Sequence, residues 1–100
     1  MHHFINRYTV SGDDAEFRRL LGVLSDFVRT RPGFRSHQLF RSARDERSYV
    51  EIAEWDDADS HRQTFTSPEF QHTLQELKKH TSADPGPFTL VSAHSAVEVR

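Results

Sequence analysis

Residues 4–10 read Phe-Ile-Asn-Arg-Tyr-Thr-Val, in which β-branched and aromatic side chains alternate with polar ones up to Ser11-Gly12. The pattern predicts a strand closed by a turn. From Asp13 the period changes, and Phe17, Leu20, Leu21, Leu24, Phe27 and Val28 recur at helical spacing. Asp13 stands where an N-cap belongs, with Glu16 as its partner three residues on. Arg31-Pro32-Gly33 ends that helix, because proline disfavours a helical residue before it and glycine supplies the turn. Two extended segments follow at 34–42 and 48–55, separated by the polar stretch 43–47 as in a hairpin. Asp56-Asp57-Ala58-Asp59 then opens a helical stretch with acidic side chains at the positive end of its dipole. Ser67-Pro68-Glu69 restarts it, and Phe70, Leu74 and Leu77 form its inner stripe. Asp84-Pro85-Gly86-Pro87 reads as a break, and 88–99 as the last strand.

The predicted order is βαββαβ, an α+β ferredoxin-like arrangement with helices on one face of an antiparallel sheet. The other face is bare, and a second copy packed against it would close a dimeric α/β barrel around a cavity. Alternation assigns residues to the faces. Val50 and Ile52 suit the helix stripe, which sends Tyr49, Glu51 and Trp55 to the bare face; Ile5 goes to the helix side and Asn6 to the cavity side. On this reading Asn6 and Trp55 meet in a mostly aromatic pocket between two copies.

Composition narrows the chemistry. At 100 residues the chain is expected to form a single domain over 1–100, small enough that a partner subunit would help its marginal core. With 13 Lys+Arg against 15 Asp+Glu, a formal charge of −2 and no basic cluster, nucleic acid is not an expected partner. No apolar run reaches the roughly 20 residues that span a bilayer, and Met1-His2-His3 lacks the plan of a signal peptide, so the expectation is a cytoplasmic protein without a membrane contact. Zero Cys removes disulfides, thiolate nucleophiles and Cys-based metal sites.

The seven His residues, at 2, 3, 37, 61, 72, 80 and 94, form no His-x-His or His-Glu-x-x-His signature, and no metal is expected. His61, His72 and His80 read as surface or packing residues on helices. Asp56, Asp57 and Asp59 read as a solvated helix start, and Ser67 as a cap, since no Gly-x-Ser-x-Gly elbow is present.

The strand Phe4-Ile5-Asn6-Arg7-Tyr8-Thr9-Val10 with Gly12 and Glu16-Phe17, then Pro32-Gly33-Phe34, His37 and Ser48-Tyr49-Val50-Glu51-Ile52-Ala53-Glu54-Trp55, resembles the antibiotic biosynthesis monooxygenase family. The likeness is greatest to the anthrone oxygenases of aromatic polyketide pathways. It implies a homodimer that oxidises a polycyclic phenolic anthrone to a quinone with molecular oxygen and no cofactor. It also implies that Asn6 and Trp55 are the functional pair. Glu51, where such proteins often carry an uncharged polar residue, departs from the pattern. Phe4, Tyr8, His37, Phe40, Tyr49, Glu51 and Phe88 are then the expected substrate-binding residues. The base stays open: His37 and His94 have suitable chemistry, and the substrate can also ionise without one.

Three alternatives share the fold. A haem-degrading enzyme needs a His ligand where this chain has Leu74, and a distorting Trp where it has Thr64. A polyketide cyclase would use the same pocket without oxygen. A non-catalytic dimer that binds a small ligand is the third, since this fold serves many roles.

Overall fold

The computed structural model describes residues 1–97. Its elements are β1 (His2–Val10), α1 (Asp14–Val28), β2 (Phe34–Arg41), β3 (Ser48–Trp55), α2 (Ala58–Phe65), α3 (Pro68–Leu77) and β4 (Thr81–Phe88). The strands form one antiparallel sheet in the order β2-β3-β1-β4, with the helices over one face, an α+β ferredoxin-like fold. As the sequence predicts, β1 and β3 are the central neighbours.

Local chemistry sets the helix starts. Asp13 accepts from the Glu16 amide at 2.9 Å, Asp57 from the Ser60 amide at 2.7 Å, and Ser67 from the Phe70 amide at 3.4 Å. Each cap satisfies a donor that the helix itself leaves unpaired, typically for about 1 kcal/mol. Gly33 ends the turn after α1 with φ 84, where a side chain would be strained and would also strike Ser60. Its carbonyl accepts from the Asp56 amide at 2.7 Å, tying this turn to the end of β3.

The core lies at the α1 end of the sheet. Phe17 is fully buried between the rings of Tyr8 and Tyr49, at centroid distances of 5.2 and 5.1 Å. Val10, Leu20, Leu21, Leu24 and Leu77 complete this cluster, and Phe70 and Leu74 of the expected α3 stripe pack against its edge. The Tyr49 hydroxyl reaches out of the cluster, donating to Asp14 at 2.6 Å and accepting from Arg41. A buried ring thus keeps its polar tip satisfied.

Two expectations are corrected. Burial along β3 alternates so that Tyr49, Glu51, Ala53 and Trp55 are buried while Val50 and Ile52 are half-buried, the reverse of the predicted facing. On β1 the buried set is Asn6, Tyr8 and Val10, which leaves Ile5 with Val50 and Ile52 on the open side. Both faces of the central strands carry apolar residues, so alternation gives the two sets but not which one the helices cover. Phe17 decides it, because its ring fits between two tyrosines.

The last strand is also displaced. It spans Thr81–Phe88 and includes the predicted break, while the described part of 88–99 beyond Phe88 forms no strand and Glu98 and Val99 lie outside the described residues. Pro85 and Pro87 pair with Asn6 and Phe4 at the sheet's edge. An edge strand tolerates proline because one side of it has no neighbour to receive an amide, and a spacing of two turns both prolines the same way.

Candidate active site

Beyond the Tyr8–Phe17–Tyr49 cluster the helices arch away from the sheet and leave a cavity of about 470 Å³ within one chain. That size falls within the range of small-molecule sites. The pocket therefore lies on the helix-covered face and not, as the sequence reading had it, on the bare face between two copies.

Successive rungs of the sheet build its floor. Asn6 stands opposite Glu51 on the neighbouring strand; the next rung has Phe4, Ala53 and His37; the next has His2, Trp55 and Phe34. Ala53 is the small member of the middle rung, so the floor is low between Glu51 and Trp55. These two are four residues apart, roughly 13 Å along the strand at about 3.3 Å per residue. The roof combines Leu24 and Val28 of α1, His61, Thr64 and Phe65 of α2, and Phe70 and Leu74 of α3. Thr81, Ala83 and Pro85 of β4 form one wall, with Lys78 at its edge.

At the Trp55 end the cavity is aromatic. Trp55 is buried, with Phe34 edge-on at 5.3 Å and the His61 ring tilted against it at 5.3 Å. His61 also contacts Phe4 at 4.5 Å, and its Nδ1 lies 3.2 Å from Nε2 of His2. Burial first, and His2 second, hold the His61 pKa below the ordinary histidine value, against the opposing pull of Glu51. His61 is thus a neutral, flat wall residue facing the indole.

The opposite end is polar and buried. Glu51, 8% exposed, accepts from the Tyr8 hydroxyl through Oε1 at 3.1 Å and meets His37 Nε2 through Oε2 at 2.7 Å. Both contacts run diagonally between adjacent strands, which long side chains on one face can span. Burial, then the negative charge of Glu51 and the hydrogen bond to it, raise the Tyr8 phenol well above the ordinary tyrosine pKa. Beside this triad Asn6 is 6% exposed, and its buried Oδ1 has no hydrogen-bond partner among the described residues. Leaving such a group unpaired costs about 1–3 kcal/mol.

The fold brings together Asn6, Trp55, Phe4, Tyr8, His37 and Glu51 around this cavity. Three expected binding residues are elsewhere. Tyr49 is in the core, with its hydroxyl turned to Asp14 and Arg41; Phe40 and Phe88 share the open side of the sheet, 51% and 47% exposed. His94, weighed as a base, is exposed beyond the last strand. Sequence reasoning missed His61 and Phe65, although their i, i+4 spacing with Thr64 between them marks one face of α2. Leu74, where the haem-degrading alternative weighed from the sequence would need a His ligand, offers only hydrocarbon to the cavity. Among the described residues, no group of three His, Cys, Asp or Glu is arranged to hold a metal ion, and no helix is long and apolar enough to cross a membrane.

Comparison with known proteins agrees with this architecture. The chain is 36% identical over 86 residues to deoxynogalonate monooxygenase of Streptomyces nogalater, covering 86% of this chain and 73% of that protein. Its fold superposes with a TM-score of 0.88 on the crystal structure of SnoaB, a cofactor-independent oxygenase from Streptomyces nogalater, at 34% identity over 92% of this chain and 94% of that one. A Mycobacterium tuberculosis protein shares the fold at a TM-score of 0.81 and 18% identity, covering 94% of this chain and 98% of that one. The family model for antibiotic biosynthesis monooxygenase matches residues 1–76, so this cavity between sheet and helices belongs to an enzyme of the antibiotic biosynthesis monooxygenase family.

Proposed function

We propose that the enzyme oxidises a polycyclic phenolic anthrone to a quinone with molecular oxygen and without a cofactor. One observation carries this reading: the Oδ1 of Asn6, unpaired among the described residues, inside a cavity lined mainly by aromatic and aliphatic side chains. A phenol hydroxyl on a flat ring system supplies the missing donor, and the amide nitrogen of the same side chain is then free to donate to the neighbouring carbonyl oxygen. The kinship with deoxynogalonate monooxygenase and the likeness to the SnoaB structure support the same substrate class and the same independence of a cofactor.

The reaction suits a protein that supplies only shape and dipoles. An anthrone carries a CH₂ between two aryl rings opposite a carbonyl, so loss of a proton leaves a delocalised enolate that itself donates an electron to oxygen. Trp55 and His61 hold the rings at one end, Asn6 stabilises the oxyanion at the other, and the apolar roof keeps water away while the radicals recombine. Asn6 and Trp55 keep the functional roles that the family resemblance implies for them.

The homodimer belongs to this proposal as well. Ile5, Val50 and Ile52 form an apolar stripe along the centre of the open face, with Phe40 and Phe88 exposed on its flanks. A face of this kind is the natural seat of a second copy.

Purified protein mixed with a phenolic anthrone is expected to consume oxygen and to gain quinone absorbance in step. Failure to take up oxygen with such a substrate overturns the oxygenase reading.

A further inference from the structure

Glu51 is the only acidic residue among the described residues lining the cavity, and the proton acceptor of the reaction has no other assignment. Both its oxygens are anchored, one by the Tyr8 hydroxyl at 3.1 Å and one by His37 at 2.7 Å, so the carboxylate is held rigidly at the cavity surface. We propose that Glu51 is the general base that removes the proton from the substrate's CH₂, with Tyr8 and His37 as the residues that position it. The proposal rests on the oxygenase reading above and adds to it the residue that starts the chemistry.

Geometry and chemistry agree. Glu51 and Asn6 are direct partners in the β1–β3 register and emerge side by side on one face. Directly opposed residues have Cβ atoms about 5 Å apart. That separation is comparable with the span of the central ring from its carbonyl to the opposite CH₂. With Asn6 at the carbonyl, Glu51 is the group within reach of the acidic carbon. A buried carboxylate is a proven type of base for carbon acids whose anions are delocalised onto oxygen. Each carboxylate oxygen keeps a lone pair beyond the one used by its anchor.

The steps balance with oxygen as the oxidant. A C–H bond breaks, its electron pair stays on the rings as the enolate, and Glu51 takes the proton. The enolate passes one electron to O₂, and the two radicals join in a C–O bond to give a peroxide anion. Glu51 returns its proton to the outer peroxide oxygen and regains its charge. It then removes the remaining proton on that carbon while the O–O bond breaks, and the departing hydroxide takes this proton from Glu51. Quinone and one water are the products, and Glu51 ends as it began.

The test separates proton removal from oxygen chemistry. Under argon, wild-type protein mixed with a phenolic anthrone is expected to show the absorbance of the bound enolate. Glu51→Gln, which keeps the size and one acceptor for Tyr8, is expected to bind the anthrone and hold it neutral. Glu51→Asp restores part of the enolate, and His37→Gln and Tyr8→Phe lower its fraction without abolishing binding. In air, Glu51→Gln lowers kcat by at least about 100-fold with KM little changed. Enolate formation by Glu51→Gln at the wild-type level overturns the proposal, and so does a wild-type complex in which the anthrone stays neutral. Wild-type enolate under argon without oxygen uptake in air leaves the base in place and overturns the oxygenase reading. Absence of anthrone binding overturns both.

Discussion

Asn6 and Glu51 face one another across the β1–β3 register, so a neutral amide and an acid enter the cavity from the same rung. The two differ in their state of satisfaction. Glu51 has both oxygens engaged, whereas the amide oxygen of Asn6 has no partner among the described residues. An acid held still beside an amide left open is an arrangement suited to a bound third group, because the fold alone gains nothing from burying an unpaired acceptor.

Asn6→Ala separates that role from a structural one. Truncation removes the orphaned oxygen together with the proposed oxyanion donor, so the expected loss in kcat is about 100- to 1,000-fold, the size seen when one such donor is deleted. The melting temperature is expected to change by only a few degrees, since the amide oxygen that is removed has no hydrogen-bond partner among the described residues. Oxygen uptake and a thermal melt on the same preparation check both; full activity refutes the role of Asn6.

Trp55→Phe tests the aromatic end. The substitution keeps a ring against His61 and Phe34 but removes the indole N–H and part of the wall. Lower turnover with an intact oligomer is expected, together with a stability loss of about 1–3 kcal/mol, less than full truncation to Ala would cost. Denaturant unfolding and kinetics measure the two effects separately.

Stability is expected to fall at both ends of the pH scale, for opposite reasons. Burial lowers the pKa of His61 in the fold, so below about 6.5 the unfolded chain binds the proton more readily and stability drops as pH falls. His2 reinforces this effect and Glu51 opposes it. Burial and Glu51 raise the Tyr8 pKa, so the fold keeps the phenol neutral while the unfolded chain ionises it near 10, and stability drops as pH rises past that value. Melting temperatures of wild type and His61→Phe across pH 4–11 check the first claim; an acid limb equally steep in both variants refutes it.

Ile52→Lys examines the open face. Charge in the middle of the Ile5–Val50–Ile52 stripe is expected to turn a dimer into a monomer while leaving the cavity, on the other face, intact. Sedimentation of the two proteins decides the matter. A wild-type protein that sediments as an 11.6 kDa monomer refutes the dimer.

Much of the frame was legible because it depends on local chemistry. Asp13 and Ser67 cap helices by bonding amides three residues away, and Pro32-Gly33 stops a helix wherever it occurs in a chain. The pairing of β1 with β3 follows from the element order. The extent of β4 was not legible, because Pro85 and Pro87 signal a break unless the strand is known to lie at an edge. The sheet residues Phe4, Asn6, Tyr8, His37, Glu51 and Trp55, expected together from the sequence, line the cavity, but His61, Phe65, Phe70 and the α1 side chains that complete its lining come from helices that read as packing elements.

The sequence by itself determined the helices, the strand order and the two alternating sets on the central strands, since each follows from bonds or periodicities within a few residues. Only the tertiary structure decided which set the helices cover. Both sets are apolar enough to be buried, and the choice falls to the fit of Phe17 between Tyr8 and Tyr49. That single packing choice turns Asn6, Glu51 and Trp55 inward, under the helices, and places the cavity inside one chain, leaving Ile5, Val50 and Ile52 on the open face.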